Sequence, residues 1–295
     1  MNDRNEKLAS AHAVLALVAG AGLWGLIWYP YRVLSQEGVG GIWALLLTEL
    51  PAIALTLFYF RRELKGVCLP WRAPPLLLAI GLFSGLCNVG FVLGTIIGEV
   101  MRVTLLLYLS PLWTVVLSRY LLGEHLTRSG LALIGLALCG ALVMLWHPYL
   151  GAPWPASLAD WLGLGAGLSF AVYNVLVKKA VQHSVPEKSL ISMFGTLMVG
   201  ALLLPWAGAF PATLNGLALL TILLTGGLLF VMIPLVQFGI MRLPANRASV
   251  IMLSELIFAG VSAWFLAGEA MGPKEWLGGA MIVTAGALSA HLQKN

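Results

Sequence analysis

One carboxylic acid in this sequence lies in the middle of a long apolar run, where ionisable residues are rare. Glu255 occurs in the stretch VIMLSELIFAGVSAWFLA. A charge placed in hydrocarbon is costly, so such a residue is expected to bind a ligand, to carry a proton or to pair with another group of the protein. Glu255 could bind a solute ammonium group or carry a coupling proton, or it could be a protonated or hydrogen-bonded structural carboxyl. It is the only ionisable residue that we expect close to the centre of an apolar run.

Other polar and aromatic side chains in the apolar runs could contact a small molecule. Asn88 and Asn174 offer both hydrogen-bond donors and acceptors, which suits the two ends of a zwitterion, although bonds between helices explain them equally well. Aromatic rings could stack on an aromatic solute, although packing is their commoner role. The candidate substrate-binding residues are Trp24, Asn88, Phe91, Tyr108, Ser110, Trp113, Ser169, Tyr173, Asn174, Gln237, Phe238 and Glu255.

Catalytic chemistry has little support in this sequence. All five histidines lie in expected tails, loops or helix ends, so no histidine can activate Ser169 of the Gly167-Leu168-Ser169 motif. No Gly-x-x-x-x-Gly-Lys-Ser/Thr loop is present to bind a nucleotide. We therefore expect no catalytic residue, no metal site and no cofactor, and no nucleic acid as a partner.

The composition predicts that the chain lies in lipid. Of its 295 residues, 60% are hydrophobic and 10% are charged, against about 25% charged in ordinary soluble domains. Runs of about 20 apolar residues can span the hydrocarbon core. Ten such runs are predicted, at roughly 13–34, 41–60, 74–97, 102–121, 128–146, 158–178, 188–208, 217–240, 247–266 and 275–292.

The positions of Lys and Arg predict an orientation with both termini in the cytoplasm. With ten spans, this orientation leaves only Arg32, Arg102 and Lys274 outside. The other fourteen basic residues then lie inside, as the positive-inside rule requires; they are Arg4, Lys7, Arg61, Arg62, Lys65, Arg72, Arg119, Arg128, Lys178, Lys179, Lys188, Arg242, Arg247 and Lys294.

A fixed step of 145 residues relates the two halves of the chain. It carries Gly123-Glu124 onto Gly268-Glu269 and Ser110 onto Glu255. This self-similarity indicates a tandem duplication. Five spans in each half would insert the second half upside down, an arrangement typical of secondary transporters. Small residues also recur at intervals of four, as in Gly90, Gly94 and Gly98, which predicts close helix packing or contacts that slide.

These features resemble the drug/metabolite transporter superfamily of the EamA type. The resemblance is carried by Pro111 with Leu121-Leu122-Gly123-Glu124, and by Ser254-Glu255 with Gly268-Glu269. The family's ninth helix often reads Glu-Pro, whereas Glu255 is followed here by Leu256. The pattern of aromatic residues is most similar to that of bacterial aromatic amino-acid exporters of the YddG type.

The resemblance implies an all-α integral membrane protein, with ten transmembrane helices in two inverted five-helix repeats around a central cavity. The repeats would span residues 1–150 and 151–295. It implies a secondary transporter that exports aromatic and other neutral hydrophobic amino acids across the bacterial inner membrane by alternating access, as a monomer or weak homodimer. A general metabolite or drug efflux transporter of the same fold, and a channel-like or structural membrane subunit, remain alternatives.

Overall fold

Helices account for all regular structure in the described part of the chain. The computed structural model describes residues 2–64, 73–98, 100–125, 127–146, 155–211, 213–268 and 272–291. Its helices are α1 (Asn2–Leu26), α2 (Trp28–Gln36), α3 (Gly41–Tyr59), α4 (Pro75–Ile97), α5 (Val100–Leu107), α6 (Ser110–Leu122), α7 (Arg128–Leu145), α8 (Leu158–Lys179), α9 (Val185–Leu202), α10 (Gly216–Arg242), α11 (Ala245–Met252), α12 (Glu255–Ala267) and α13 (Pro273–His291).

The helices follow the predicted apolar runs closely. Within the described ranges, eight segments are long and apolar enough to cross a membrane; they are Ser10–Gln36, Gly41–Tyr59, Pro75–Ile97, Arg102–Leu122, Arg128–Leu145, Leu158–Lys179, Gly216–Arg242 and Ala245–Leu266. Helices α9 and α13 are not among them. Helix α9 stops at Leu202, short of the predicted end at 208, because Leu204–Trp206 forms a separate 3-10 turn that contains Pro205.

Large apolar side chains face outward from the bundle. Phe58, Leu224 and Phe265 are each more than 60% exposed. Exposing such side chains to water would cost free energy, whereas contact with the hydrocarbon of a bilayer does not. The chain is therefore a multi-pass membrane protein.

Two membrane-spanning segments are broken at matching positions. Helix α5 and helix α6 are separated by Tyr108 and Leu109, and α11 and α12 by Leu253 and Ser254. Helix α11 begins and ends 145 residues after α5, and α12 begins and ends 145 residues after α6. Gly123 and Gly268 end the second members with the same left-handed backbone, φ 69° and ψ 18°.

The break before α12 forms without proline. Pro111 lies in the first turn of α6, where its missing N–H costs no helical hydrogen bond. Leu256 occupies the matching position in α12, and its N–H donates to the Leu253 carbonyl at 3.1 Å. This bond spans three residues, as in a 3-10 helix, so a tightened turn replaces the proline.

Glycines let helices pack with their backbones in contact. A Cβ added at Gly85 would lie 2.5 Å from the carbonyl oxygen of Gly195, which joins α4 to α9. One added at Gly167 would lie 2.6 Å from the Leu107 carbonyl oxygen, which joins α8 to α5. The small residues at four-residue spacing on these helices are thus at helix contacts, as expected for membrane bundles.

Polar contacts join the two halves at one end of the bundle. Lys178 on α8 forms an ion pair with Glu124, at 3.0 Å between Nζ and Oε1. The same carboxylate accepts hydrogen bonds from the N–H of Ala245, the first residue of α11. We call this end of the bundle the Glu124 end. Glu269, the counterpart of Glu124, lies outside the described residues, as do Lys65, Arg72, Lys294 and most of the segment between the halves.

A buried lysine donates hydrogen bonds to carbonyl groups at the C-terminal end of α8. Lys188 is 0% exposed, and its Nζ donates to the carbonyl oxygens of Ala180 at 2.9 Å and Val177 at 3.3 Å. The last carbonyls of a helix lack intrahelical partners and attract cations. Lys188 therefore caps α8 from the first turn of α9.

We expect Lys188→Met to destabilise the protein, because two buried carbonyls would lose their donor at about 1–3 kcal/mol for each unsatisfied group. Thermal unfolding in detergent should show a lower Tm for this variant. Lys179→Met removes an exposed lysine from the same region and should leave the Tm nearly unchanged. Equal Tm values for the two variants would contradict the capping role.

Candidate functional site

The two broken segments bring a carboxyl and a phenol together in the middle of the bundle. Glu255 is the first residue of α12, and Tyr108 lies in the break before α6. The phenol of Tyr108 and the carboxyl of Glu255 lie close enough to each other to interact. Glu255 is the eleventh of the 23 residues from Ala245 to Ala267, so the contact lies near half depth.

Neighbouring helices bring further groups to this contact. Cys87 on α4 lies close enough to Glu255 and Tyr108 for electrostatic interaction with both. Gly25 on α1 lies against the backbone of Glu255, since a Cβ at Gly25 would come 2.6 Å from the Glu255 carbonyl oxygen. A helix that carried any side chain at position 25 could not approach so closely. Helices α1, α4 and α12 and the α5–α6 break therefore surround the carboxyl.

Several buried polar atoms in this region have no hydrogen-bond partner among the described residues. They are the side-chain oxygen of Ser254, the indole nitrogen of Trp113 and the amide oxygen of Asn174. Ser254 directly precedes Glu255, and Trp113 lies in the first turn of α6, which packs on the helix that carries Asn174. Unpaired buried polar groups cost free energy, and nothing among the described residues satisfies these three atoms.

The remaining candidates divide between hydrogen-bonded and packed environments. Tyr173 and Gln237 bond to each other at 2.9 Å, and Gln237 also bonds to Ser189 and Ser192, which ties α8, α9 and α10 together. Asn88 donates to the Ser84 carbonyl and to the Thr196 hydroxyl. These three candidates already have partners within the protein.

Ser110 and Ser169 are buried, and Phe91 and Trp24 are half-buried. Trp24 packs against two apolar clusters, one of them with Tyr173 and Val236, the other with Ile53 and Met232. Phe238 does not join the group at half depth. Its ring stacks under the Arg242 guanidinium, 3.6 Å away, in the last turn of α10.

One expectation about ionisable residues was wrong. Glu49 is the ninth of the 19 residues of α3, so it lies as near the middle of a span as Glu255 does. Its side chain is 3% exposed. The signal was present in the sequence, because Glu49 is eight residues inside the predicted run 41–60.

The fold and the interior polar groups define a multi-pass helical membrane protein of the transporter class. Comparison with known families assigns it more closely: the chain belongs to the EamA-like transporter family, which matches residues 11–146 and again residues 157–290. This family forms part of the drug/metabolite transporter superfamily.

Individual relatives agree with this class. An uncharacterised transporter of Archaeoglobus fulgidus is 30% identical over 216 residues, which cover 72% of this chain and 75% of that protein. Protein RarD of Streptomyces exfoliatus is 28% identical over 279 residues, covering 90% of this chain and 83% of the relative. The family and the first relative's name indicate a transporter rather than an enzyme.

The fold also occurs in a solved crystal structure. It superposes on this chain with a TM-score of 0.75 at 18% sequence identity, and the match covers 96% of this chain and 99% of that one. At this identity the likeness concerns the fold alone.

Proposed function

We propose that this protein is a secondary transporter that exports aromatic and other neutral hydrophobic amino acids by alternating access. The observation that carries the proposal is the contact between Glu255 and Tyr108, which joins the two halves at half depth. Transporter sites of this kind lie near the midplane, where broken helices from the two halves meet. A contact across that boundary is made and broken when the halves rock against each other.

The proposed architecture has ten spans in two inverted repeats, residues 1–150 and 151–295. Counting α9 and α13 as spans, and α1–α2, α5–α6 and α11–α12 as one span each, gives five spans in each half. The recurrence of both breaks after 145 residues supports the duplication. An odd number of spans in each half would invert the second relative to the first.

The topology predicts where reporter enzymes will be active. The charge bias puts both termini, and the Glu124 end, in the cytoplasm of a bacterium, with the chain in its inner membrane. A reporter fused after Lys65 should be active in the cytoplasm, and one fused after Pro153 should be active outside. Activity of both fusions on one side would contradict the inverted repeat.

The proposed substrates follow from the character of the interior. Trp24, Phe91, Tyr108 and Trp113 offer apolar and aromatic surface, and the few unpaired polar atoms suffice for the two ends of a zwitterion. Phenylalanine, tyrosine and tryptophan, and aliphatic amino acids such as methionine or threonine, fit this lining. The direction of transport, export, is proposed from the resemblance of the sequence to aromatic amino-acid exporters.

Flux through reconstituted liposomes tests the substrate class. We expect radiolabelled phenylalanine, tyrosine and tryptophan to cross several times faster in proteoliposomes than in protein-free liposomes. Movement of hydrophobic organic cations without amino acids would instead favour a general metabolite or drug transporter. Rapid passage of inorganic ions would favour a channel-like protein.

A further inference from the structure

Glu49 is a buried carboxyl that has no ion pair or hydrogen bond in the described part of the protein. One of its oxygens, Oε2, is fully enclosed and unpartnered. The ion pairs of the described residues involve Glu124, Asp160 and Glu187, and not Glu49. Neighbouring buried polar groups differ: Thr48, Thr56, Thr196 and Gln237 all have hydrogen-bond partners.

The surroundings of Glu49 give it no structural partner. Helix α3 packs mainly on α9 and α10, and the facing side chains include Met193, Leu229 and Met232. A carboxyl in such an apolar environment loses its hydration and gains nothing in return. Structural carboxyls inside proteins are normally paired, so helix stabilisation does not explain this one.

Glu49 lies on a helix that packs against the hydrogen-bonded group around Tyr173. Helix α3 contacts α9 and α10, whose Ser192 and Gln237 bond to the Tyr173 hydroxyl. The Glu49 carboxyl is within electrostatic range of the Tyr31 and Tyr173 hydroxyls. Tyr173 in turn is within electrostatic reach of Cys87, which interacts with Glu255 and Tyr108. Interior polar groups therefore link Glu49 to the contact between the halves. The Tyr31 and Thr48 hydroxyls lie 3.1 Å apart, and Tyr31 is within electrostatic range of the Glu49 carboxyl.

We propose that Glu49 binds the primary ammonium group of the transported solute, next to the Thr48 and Tyr31 hydroxyls. An ammonium group supplies the positive charge and the hydrogen-bond donors that the buried carboxylate lacks. Glu255, which lies beside Tyr108, then remains the carboxyl that responds to the movement of the halves. The inference rests on the proposed function, because it requires a solute that carries an ammonium group.

Binding measurements with three related compounds test this inference. Phenylalanine carries an ammonium and a carboxylate, 2-phenylethylamine only the ammonium, and 3-phenylpropanoate only the carboxylate. Titration calorimetry on the purified protein should show that wild type binds phenylalanine at least tenfold more tightly than 3-phenylpropanoate. Glu49→Gln keeps the shape of the side chain but removes its charge, and it should reduce this preference to about twofold or less.

Two outcomes separate the inference from the proposed function. Glu63→Gln removes an exposed carboxyl just beyond α3 and should keep the full preference for the ammonium compounds. A folded Glu49→Gln protein that keeps this preference overturns the inference, as does wild type that binds neither ammonium compound. If phenylethylamine binds in a Glu49-dependent way while no amino acid binds or moves, the amino-acid function fails and the ammonium site stands.

Discussion

Replacing Glu255 with Gln is expected to reduce phenylalanine flux in proteoliposomes at least tenfold while leaving the protein folded. Glutamine keeps the size of the side chain and can still accept a hydrogen bond from Tyr108. It cannot ionise, so it cannot exchange a proton or carry a charge as the halves rearrange. Any remaining flux should respond less to pH than the flux of the wild type.

Two companion variants separate transport from structure. Tyr108→Phe removes the hydroxyl that lies beside the Glu255 carboxyl, and it should lower flux without changing the fold. Glu255→Ala removes the carboxyl and should lower the Tm, since a buried Tyr108 hydroxyl left without a polar neighbour costs about 1–3 kcal/mol. If well-folded Glu255→Gln protein shows the wild-type flux and pH profile, the carboxyl only holds the helices together.

Replacing Gly195 with Ala is expected to destabilise the protein strongly. A Cβ at position 195 would overlap the backbone of Gly81, on the facing helix α4. Backbone atoms cannot avoid the overlap by a change of rotamer, as a side chain can, so α4 and α9 would have to move apart. Overpacking commonly costs about 1–3 kcal/mol, and we expect a loss at or above the top of this range.

Gly227→Ala provides the matched control for this substitution. Gly227 also lies inside a long helix, α10, and a Cβ there meets no atom within 4 Å. The Gly227→Ala substitution should leave the free energy of unfolding unchanged or raise it by about 0.5–1 kcal/mol, because alanine favours the helix more than glycine does. Similar Tm values for the two variants in detergent would contradict the close contact of α4 and α9.

The sequence predicts the helices well because membrane spans have a simple physical signature. Apolar runs of about 20 residues can be recognised by composition alone, and the 145-residue step related the two segments that the structure shows to be broken. The break before α12 was harder to foresee. Leu256 occupies the place of the family's proline, and its N–H donates to the Leu253 carbonyl in a tightened turn.

The candidate site was only partly predictable, since residue type and depth do not tell which partner a side chain finds. Glu255 and Tyr108 were both candidates, but their proximity connects residues 147 positions apart and required the fold. Gln237 is also polar and buried, and its amide is occupied by Tyr173 and Ser192. Phe238 follows Gln237 in sequence, yet its ring stacks on Arg242 in the last turn of α10.

The central claim of this account is that the two halves expose a midplane site to each side in turn. Counterflow of radiolabelled phenylalanine tests it most directly. Proteoliposomes loaded with unlabelled phenylalanine and diluted into a trace of labelled phenylalanine should accumulate the label transiently above its external concentration, because an alternating-access site exchanges one molecule for another. Label that only equilibrates across the membrane, with no overshoot above protein-free liposomes, would contradict the account.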